Sequence, residues 1–166
     1  MGSTRWRATS AGLGCAALVL AGCARPAATQ TAGSPADLQL LPPGAVWAPN
    51  PAIPPSASIA LVAGKLAGPG LYAFRLRMPP GYRVMPHTHP DERVYTVLSG
   101  TWYIGLGERF DSTAQTAVPA GGVYVLPAGV PHYHWAATGE SVSQIIGTGP
   151  TATVYLDPAD DPRKAR

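Results

Sequence analysis

Gly81-Tyr82-Arg83-Val84-Met85-Pro86-His87-Thr88-His89-Pro90-Asp91-Glu92-Arg93-Val94-Tyr95-Thr96-Val97-Leu98-Ser99-Gly100 is followed, twenty residues later, by Gly121-Gly122-Val123-Tyr124-Val125-Leu126-Pro127-Ala128-Gly129-Val130-Pro131-His132-Tyr133-His134. All four histidines of the chain fall in these two stretches, as His87-Thr88-His89 and His132-Tyr133-His134. On a strand, residues i and i+2 project from the same face, so each pair can aim two imidazoles at one point. Imidazole suits several first-row transition metals, and three histidines leave coordination positions open for water or substrate. The alternative is a set of partly buried, hydrogen-bonded histidines with no metal.

Around these stretches the chain reads as strands. β-Branched and aromatic runs occur at Ser58–Ala63, Leu71–Met78, Arg93–Leu98, Thr101–Leu106, Gly122–Leu126, His132–Ala136, Ser141–Ile146 and Ala152–Leu156. Gly/Pro turns separate them, among them Gly68-Pro69-Gly70, Pro79-Pro80-Gly81 and Gly149-Pro150. Short strands at regular spacing with turn chemistry between them indicate an all-β sandwich or barrel. Composition agrees: Gly and Pro number 19 each, about twice the usual share. Both residues disfavour helices, which excludes a helical bundle or coiled coil. Along Leu71–Met78, Phe74 and Leu76 alternate with Arg75 and Arg77, so the apolar pair is expected inward and the arginines outward.

The spacing of the two histidine stretches carries a resemblance. Gly81, five residues, His87-x-His89 and ten residues to Gly100 is similar to the first cupin motif. Gly121, five residues, Pro127-x-Gly129-x-x-His132 is similar to the second. Ser99-Gly100-Thr101-Trp102, Gly105-Leu106-Gly107 and Gly147-Thr148-Gly149-Pro150 resemble a group of exported, single-domain cupins. The resemblance implies a small antiparallel jelly-roll barrel. It implies a divalent transition metal (Fe, Mn, Ni, Cu or Zn) held by His87, His89 and His132, and a small-molecule ligand in the barrel. It allows a homodimer, for which no residue of the sequence speaks.

One ligand departs from the family pattern. The position of the motif's glutamate is Arg93, and Glu92 stands one place earlier, on the opposite face of a regular strand. Two outcomes follow. A β-bulge re-aims Glu92 inward as a further ligand, or the strand stays regular and Arg93 enters the barrel. The second is favoured, because the spacing from His89 to Gly100 is unchanged. A guanidinium beside a cation calls for an anion between them, which Arg93 can hold bidentately. Tyr95 shares the face of Arg93 and is a candidate substrate contact or core residue. His134 shares the face of His132, where it can replace the missing ligand or be satisfied by the barrel wall.

Residues 1–22 read as an export leader: Arg5 and Arg7, then an uncharged apolar stretch from Ala11 to Ala21, shorter than the ~20 residues of a membrane span. It ends in Leu20-Ala21-Gly22-Cys23, which resembles a bacterial lipobox, so Cys23 is the expected lipidation site. Residues 23–36 form an Ala/Thr/Pro/Gly/Ser tether, 37–158 the cupin domain, and 159–166 a loose polar tail. Cys15 would leave with the leader, and no thiol remains for a disulfide. The expected location is the bacterial cell envelope. By resemblance to the sorting rule of enteric bacteria, Ala24 after the expected lipidation site implies the outer membrane, facing the periplasm, with membrane contact through the lipid alone. Without the leader, ten basic residues face nine acidic ones and none cluster, which excludes a nucleic-acid partner.

Three functions remain open from sequence: a metal-dependent enzyme acting on a small anionic molecule, a ligand-binding or sensing module without turnover, and a barrel with a vestigial pocket. Fold does not decide among them.

Overall fold

Tyr72, Phe74, Leu76 and Met78 are buried along one strand while Arg75 and Arg77 between them reach solvent, the inward-apolar alternation expected there. The computed structural model describes Gly44 and residues 46–164. The segments read as leader and tether, Cys23 among them, lie outside the described residues, as does the start of the expected domain.

Among the described residues, ten strands form two five-stranded sheets: β1 Ser58–Ala63, β2 Gly70–Met78, β3 Arg83–Thr88, β4 Arg93–Ser99, β5 Thr101–Leu106, β6 Gln115–Pro119, β7 Val123–Leu126, β8 His132–Trp135, β9 Ser141–Gly149 and β10 Val154–Tyr155. One sheet has the order β1-β2-β9-β4-β7, the other β10-β3-β8-β5-β6, and the pairings are antiparallel. This is a jelly-roll barrel whose inner faces share one core. Trp102, Tyr72, Met78, Ile145, Val84 and Val97 are fully buried in it, and burial of each such side chain stabilises the fold by roughly 1.5–3 kcal/mol.

Strands β3 and β6 are not among the runs read from sequence. Strand β3 contains Pro86 and a break in its pairing with β8 between Val84 and His87. That break positions the site. Val84 and His87 are three residues apart and would face opposite sides of a regular strand, yet both are buried. The irregularity shifts the parity and turns His87 inward. Strand β6, Gln-Thr-Ala-Val-Pro, is a half-exposed edge strand with little apolar signal.

The chain crosses from β4 in one sheet to β5 in the other through Gly100 alone. Its φ is 71°, and a Cβ there would lie 2.2 Å from the Glu140 carbonyl oxygen, so only glycine fits.

The polar stretch after 158 is not loose over its described part. Pro158–Asp160 forms a 3₁₀ turn capped by Asp157. Arg163 donates from Nε and Nη2 to the two carboxylate oxygens of buried Asp161, at 2.7 and 2.9 Å, and from Nη2 to the Thr153 carbonyl at 2.9 Å. The expectation of a loose tail rested on polarity, and here the polar groups satisfy one another.

Candidate metal centre

His87 and His132 lie directly opposite each other on β3 and β8, and their ring centroids are 4.2 Å apart. His89 follows two residues beyond His87, with its ring 4.7 Å from that of His87 and 5.0 Å from that of His132. His134 is two residues along β8, 5.0 Å from His132 and 5.7 Å from His87. All four are buried. The structure therefore brings both histidine pairs to one place, as the i, i+2 spacing predicts.

Hydrogen bonding sorts the rings. His87 Nδ1 is 2.7 Å from the Met85 carbonyl, His89 Nδ1 2.7 Å from the Ala152 carbonyl, and His132 Nδ1 2.9 Å from the Val130 carbonyl. A carbonyl only accepts, so each of these Nδ1 atoms carries a hydrogen and each Nε2 keeps its lone pair. The Nε2 of His132 is buried with no hydrogen-bond partner among the described residues. His134 differs, because its Nδ1 accepts from the Trp102 indole Nε1–H at 3.0 Å.

Burial keeps these rings neutral. It pushes His87 and His134 well below the usual imidazole value, helped by neighbouring histidines. It also lowers His89, together with the Arg93 charge, and brings His132 down to about 4. Neutral imidazole is the form that binds metal. By the reach of the ring nitrogens, the set is His87, His132 and His134, each presenting a nitrogen within 4.8 Å of the others. By donor chemistry it is His87, His89 and His132, and that criterion weighs more, since a ring nitrogen bearing hydrogen offers no lone pair.

Arg93 and Glu92 take the places expected of a regular strand. Arg93 is 5% exposed and faces the barrel interior, whereas Glu92 is exposed. Pairing of β4 with β9 is unbroken from Arg93 to Val97, and its one irregularity falls later, between Val97 and Ser99. The bulge that would turn Glu92 inward is absent there, so Glu92 is corrected from the candidate ligands.

Arg93 does not stand as a free guanidinium. Its Nε donates to Asp91 Oδ2 at 3.2 Å and its Nη2 donates to the Thr151 hydroxyl. That hydroxyl donates to Asp91 Oδ1, and the Tyr72 hydroxyl donates to Asp91 Oδ2. Burial and the bond to Asp91 push the Tyr72 phenol up to about 12. Gly147 makes the approach possible: a Cβ there would meet the Tyr72 hydroxyl at 2.4 Å and Asp91 Oδ2 at 2.8 Å. Tyr95, 2% exposed, stacks on Tyr124 at 4.7 Å.

Arg93, Tyr95 and Thr151, with three of the histidines, border a cavity of about 260 Å³ between the sheets. Its polar side is formed by His87, His89, His134, Arg93 and Tyr95, its apolar side by Ile59, Phe74, Leu76 and Ile145. Asp91, Tyr72, Thr151 and Trp102 were not singled out by sequence. Asp91 and Arg93 show the same i, i+2 spacing that exposed the histidines, which was the available signal. Tyr72 and Thr151 reach the site only through long-range strand pairing.

Comparison with known proteins agrees with this geometry. Residues 74–146 match the family described as the cupin domain. Those residues form a cupin domain. Several solved structures resemble it at low identity. DMSP lyase DddQ from Ruegeria pomeroyi is 21% identical with a TM-score of 0.56, over 69% of this chain and 62% of that one. The polyketide cyclase RemF from Streptomyces resistomycificus is 16% identical with a TM-score of 0.54, over 66% and 78%. A variant of salicylate 1,2-dioxygenase from Pseudoaminobacter salicylatoxidans, in complex with gentisate, is 16% identical with a TM-score of 0.52, over 63% and 30%. Such likeness establishes the cupin fold and no activity. No curated protein matches the chain.

Proposed function

We propose that this cupin binds one divalent transition metal through Nε2 of His87, His89 and His132 and uses it to hold a small oxyanion in the barrel. One observation carries the reading: three neutral rings have Nδ1 fixed against backbone carbonyls, and the buried Nε2 of His132 has no protein partner among the described residues. When bound, such an ion polarises an oxygen of its ligand. Arg93 and Asp91 cancel each other's charge, so a cation among neutral imidazoles would set the sign of the cavity and draw in an anion. The apolar wall of Phe74, Leu76 and Ile145 would accept the body of that molecule.

A non-catalytic binding module is the second reading, and the placement of Arg93 favours it. The motif's carboxylate position holds a guanidinium, and the nearby carboxylate of Asp91 is engaged by Arg93, Tyr72 and Thr151. No unengaged carboxylate is left beside the histidines, among the described residues, to act as a general base. Elemental analysis of the chain carrying Cys23→Ser tests the metal reading. About one ion per chain is expected, with a near-complete loss in His87→Ala. Absence of metal after loading with each candidate ion would overturn it.

The same proposal puts the domain in the bacterial envelope, anchored through lipid on Cys23 at the outer membrane. Cys23→Ala should abolish incorporation of radiolabelled palmitate and release the protein from membranes. An unlipidated, periplasmic wild type would refute this location.

A further inference from the structure

We infer that His134 is not a fourth metal ligand but a fixed hydrogen-bond donor, its Nε2–H reserved for an acceptor oxygen of the molecule held in the cavity. Trp102 fixes the position of the proton. An indole Nε1–H can donate and cannot accept, and it lies 3.0 Å from His134 Nδ1. That nitrogen must therefore present its lone pair to the indole. A neutral imidazole keeps one hydrogen, and the remaining position is Nε2. His87, His89 and His132 face backbone carbonyls instead and carry their hydrogen on Nδ1. Four histidines within one cluster thus split into three lone-pair rings and one donor ring, and the neighbour of each Nδ1 decides which.

The placement of His134 makes the donor usable. The ring borders the cavity between the sheets, and its Nε2 has no hydrogen-bond partner among the described residues. A buried N–H without a partner is costly. Trp102 is fully buried and cannot swing away, so the ring cannot exchange its roles without breaking the indole bond. The acceptor that fits is an anionic oxygen, such as a carboxylate, beside the three lone-pair nitrogens. This inference rests on the metal reading above for the identity of that neighbour, but the proton's position rests on Trp102 alone.

Long-range ¹H–¹⁵N correlation across the imidazole rings distinguishes the two tautomers directly. In metal-free, ¹⁵N-labelled protein, one ring should show the Nε2–H pattern and three the Nδ1–H pattern. The single Nε2–H ring should vanish in His134→Gln. On addition of zinc, His134 should keep its Nε2 hydrogen while the other three rings respond at Nε2. Acetate added to the zinc-loaded protein should then shift the His134 Nε2 resonance. His134→Leu should weaken acetate roughly tenfold, the lower end of a hydrogen bond to a charged acceptor. An Nδ1–H tautomer for His134 in the metal-free protein, loss of its Nε2 hydrogen on zinc binding, or no response to acetate would overturn the inference. Failure to bind zinc would overturn the metal reading instead, while the metal-free tautomers still decide the proton's position. The wild-type spectrum is the deciding measurement, because Trp102→Phe removes a core side chain.

Discussion

The two polar regions of the barrel wall are both buried and both dense in titratable groups, yet they are built oppositely. Around Asp91 the carboxylate oxygens are matched within the protein: Oδ2 by Arg93 and Tyr72, Oδ1 by Thr151, which also receives Arg93. Around His132 the Nδ1 side of each ring is matched, while the buried Nε2 atoms of His132 and His134 have no partner among the described residues. A buried ion pair with its hydrogen bonds completed serves structure. Buried ring nitrogens without a protein partner are left able to meet a guest. The difference shows that an arginine inside a pocket is not thereby a ligand grip. The grip expected of Arg93 on a carboxylate is reduced, because its Nε and Nη2 are already engaged and its charge is balanced by Asp91.

The largest effect that separates the regions is on metal affinity. His132→Ala should weaken metal binding by more than about 100-fold, above the range seen when only an outer partner of a ligand is removed. Asp91→Asn should leave it within a few-fold. Competition with a chelating dye measures both. If Asp91→Asn strips the metal and His132→Ala keeps it, the two regions have exchanged roles.

The next effect is on stability. Arg93→Ala would leave the Asp91 carboxylate buried without its cation, at a cost of about 3–5 kcal/mol. Adding Asp91→Asn to that variant should recover a large part of the loss, since the stranded charge is then removed. Urea denaturation of the two singles and the double completes the cycle. A cost below about 1 kcal/mol for Arg93→Ala would mean that the guanidinium is free and available to a ligand after all.

Much of this was legible in the residues themselves. Eight strands were readable from β-branched runs and Gly/Pro punctuation, and the two histidine pairs from the period of a strand. The inward Arg93 followed from unchanged spacing to Gly100. What the sequence hides is what depends on distant pairing. The irregularity between Val84 and His87 exists only against β8. Tyr72 meets Asp91 because β2 and β4 both flank β9 and Gly147 leaves room. The role of His134 depends on Trp102 from a neighbouring strand. The folded Asp161–Arg163 turn was hidden for a different reason, since polar composition alone does not distinguish a solvated tail from a mutually satisfied one.

Within the Asp91 region, Tyr72→Phe should cost about 1.5 kcal/mol, the lower end for a hydrogen bond to a charged group. Metal affinity should not move, because the carboxylate keeps Arg93 and Thr151. A Tyr72→Phe protein with normal stability would show that Asp91 draws little from its third partner.

The smallest expected effect is the one that tests the register on which the comparison stands. Glu92 and Arg93 are adjacent in sequence, and a strand sends adjacent side chains to opposite faces. With β4 regular through Val97, Glu92 lies outside the barrel and Arg93 inside. Replacing the exposed carboxylate by an isosteric amide removes a solvated charge and no buried contact. Glu92→Gln should therefore change stability by less than about 0.5 kcal/mol and leave metal affinity unaltered. Were Glu92 a ligand instead, the same substitution would weaken metal binding more than any change at Asp91. The bulge would then have to exist in the metal-bound protein, and Arg93 would have to leave Asp91. No effect at Glu92 together with a large one at Arg93 is the pattern that a regular β4 requires.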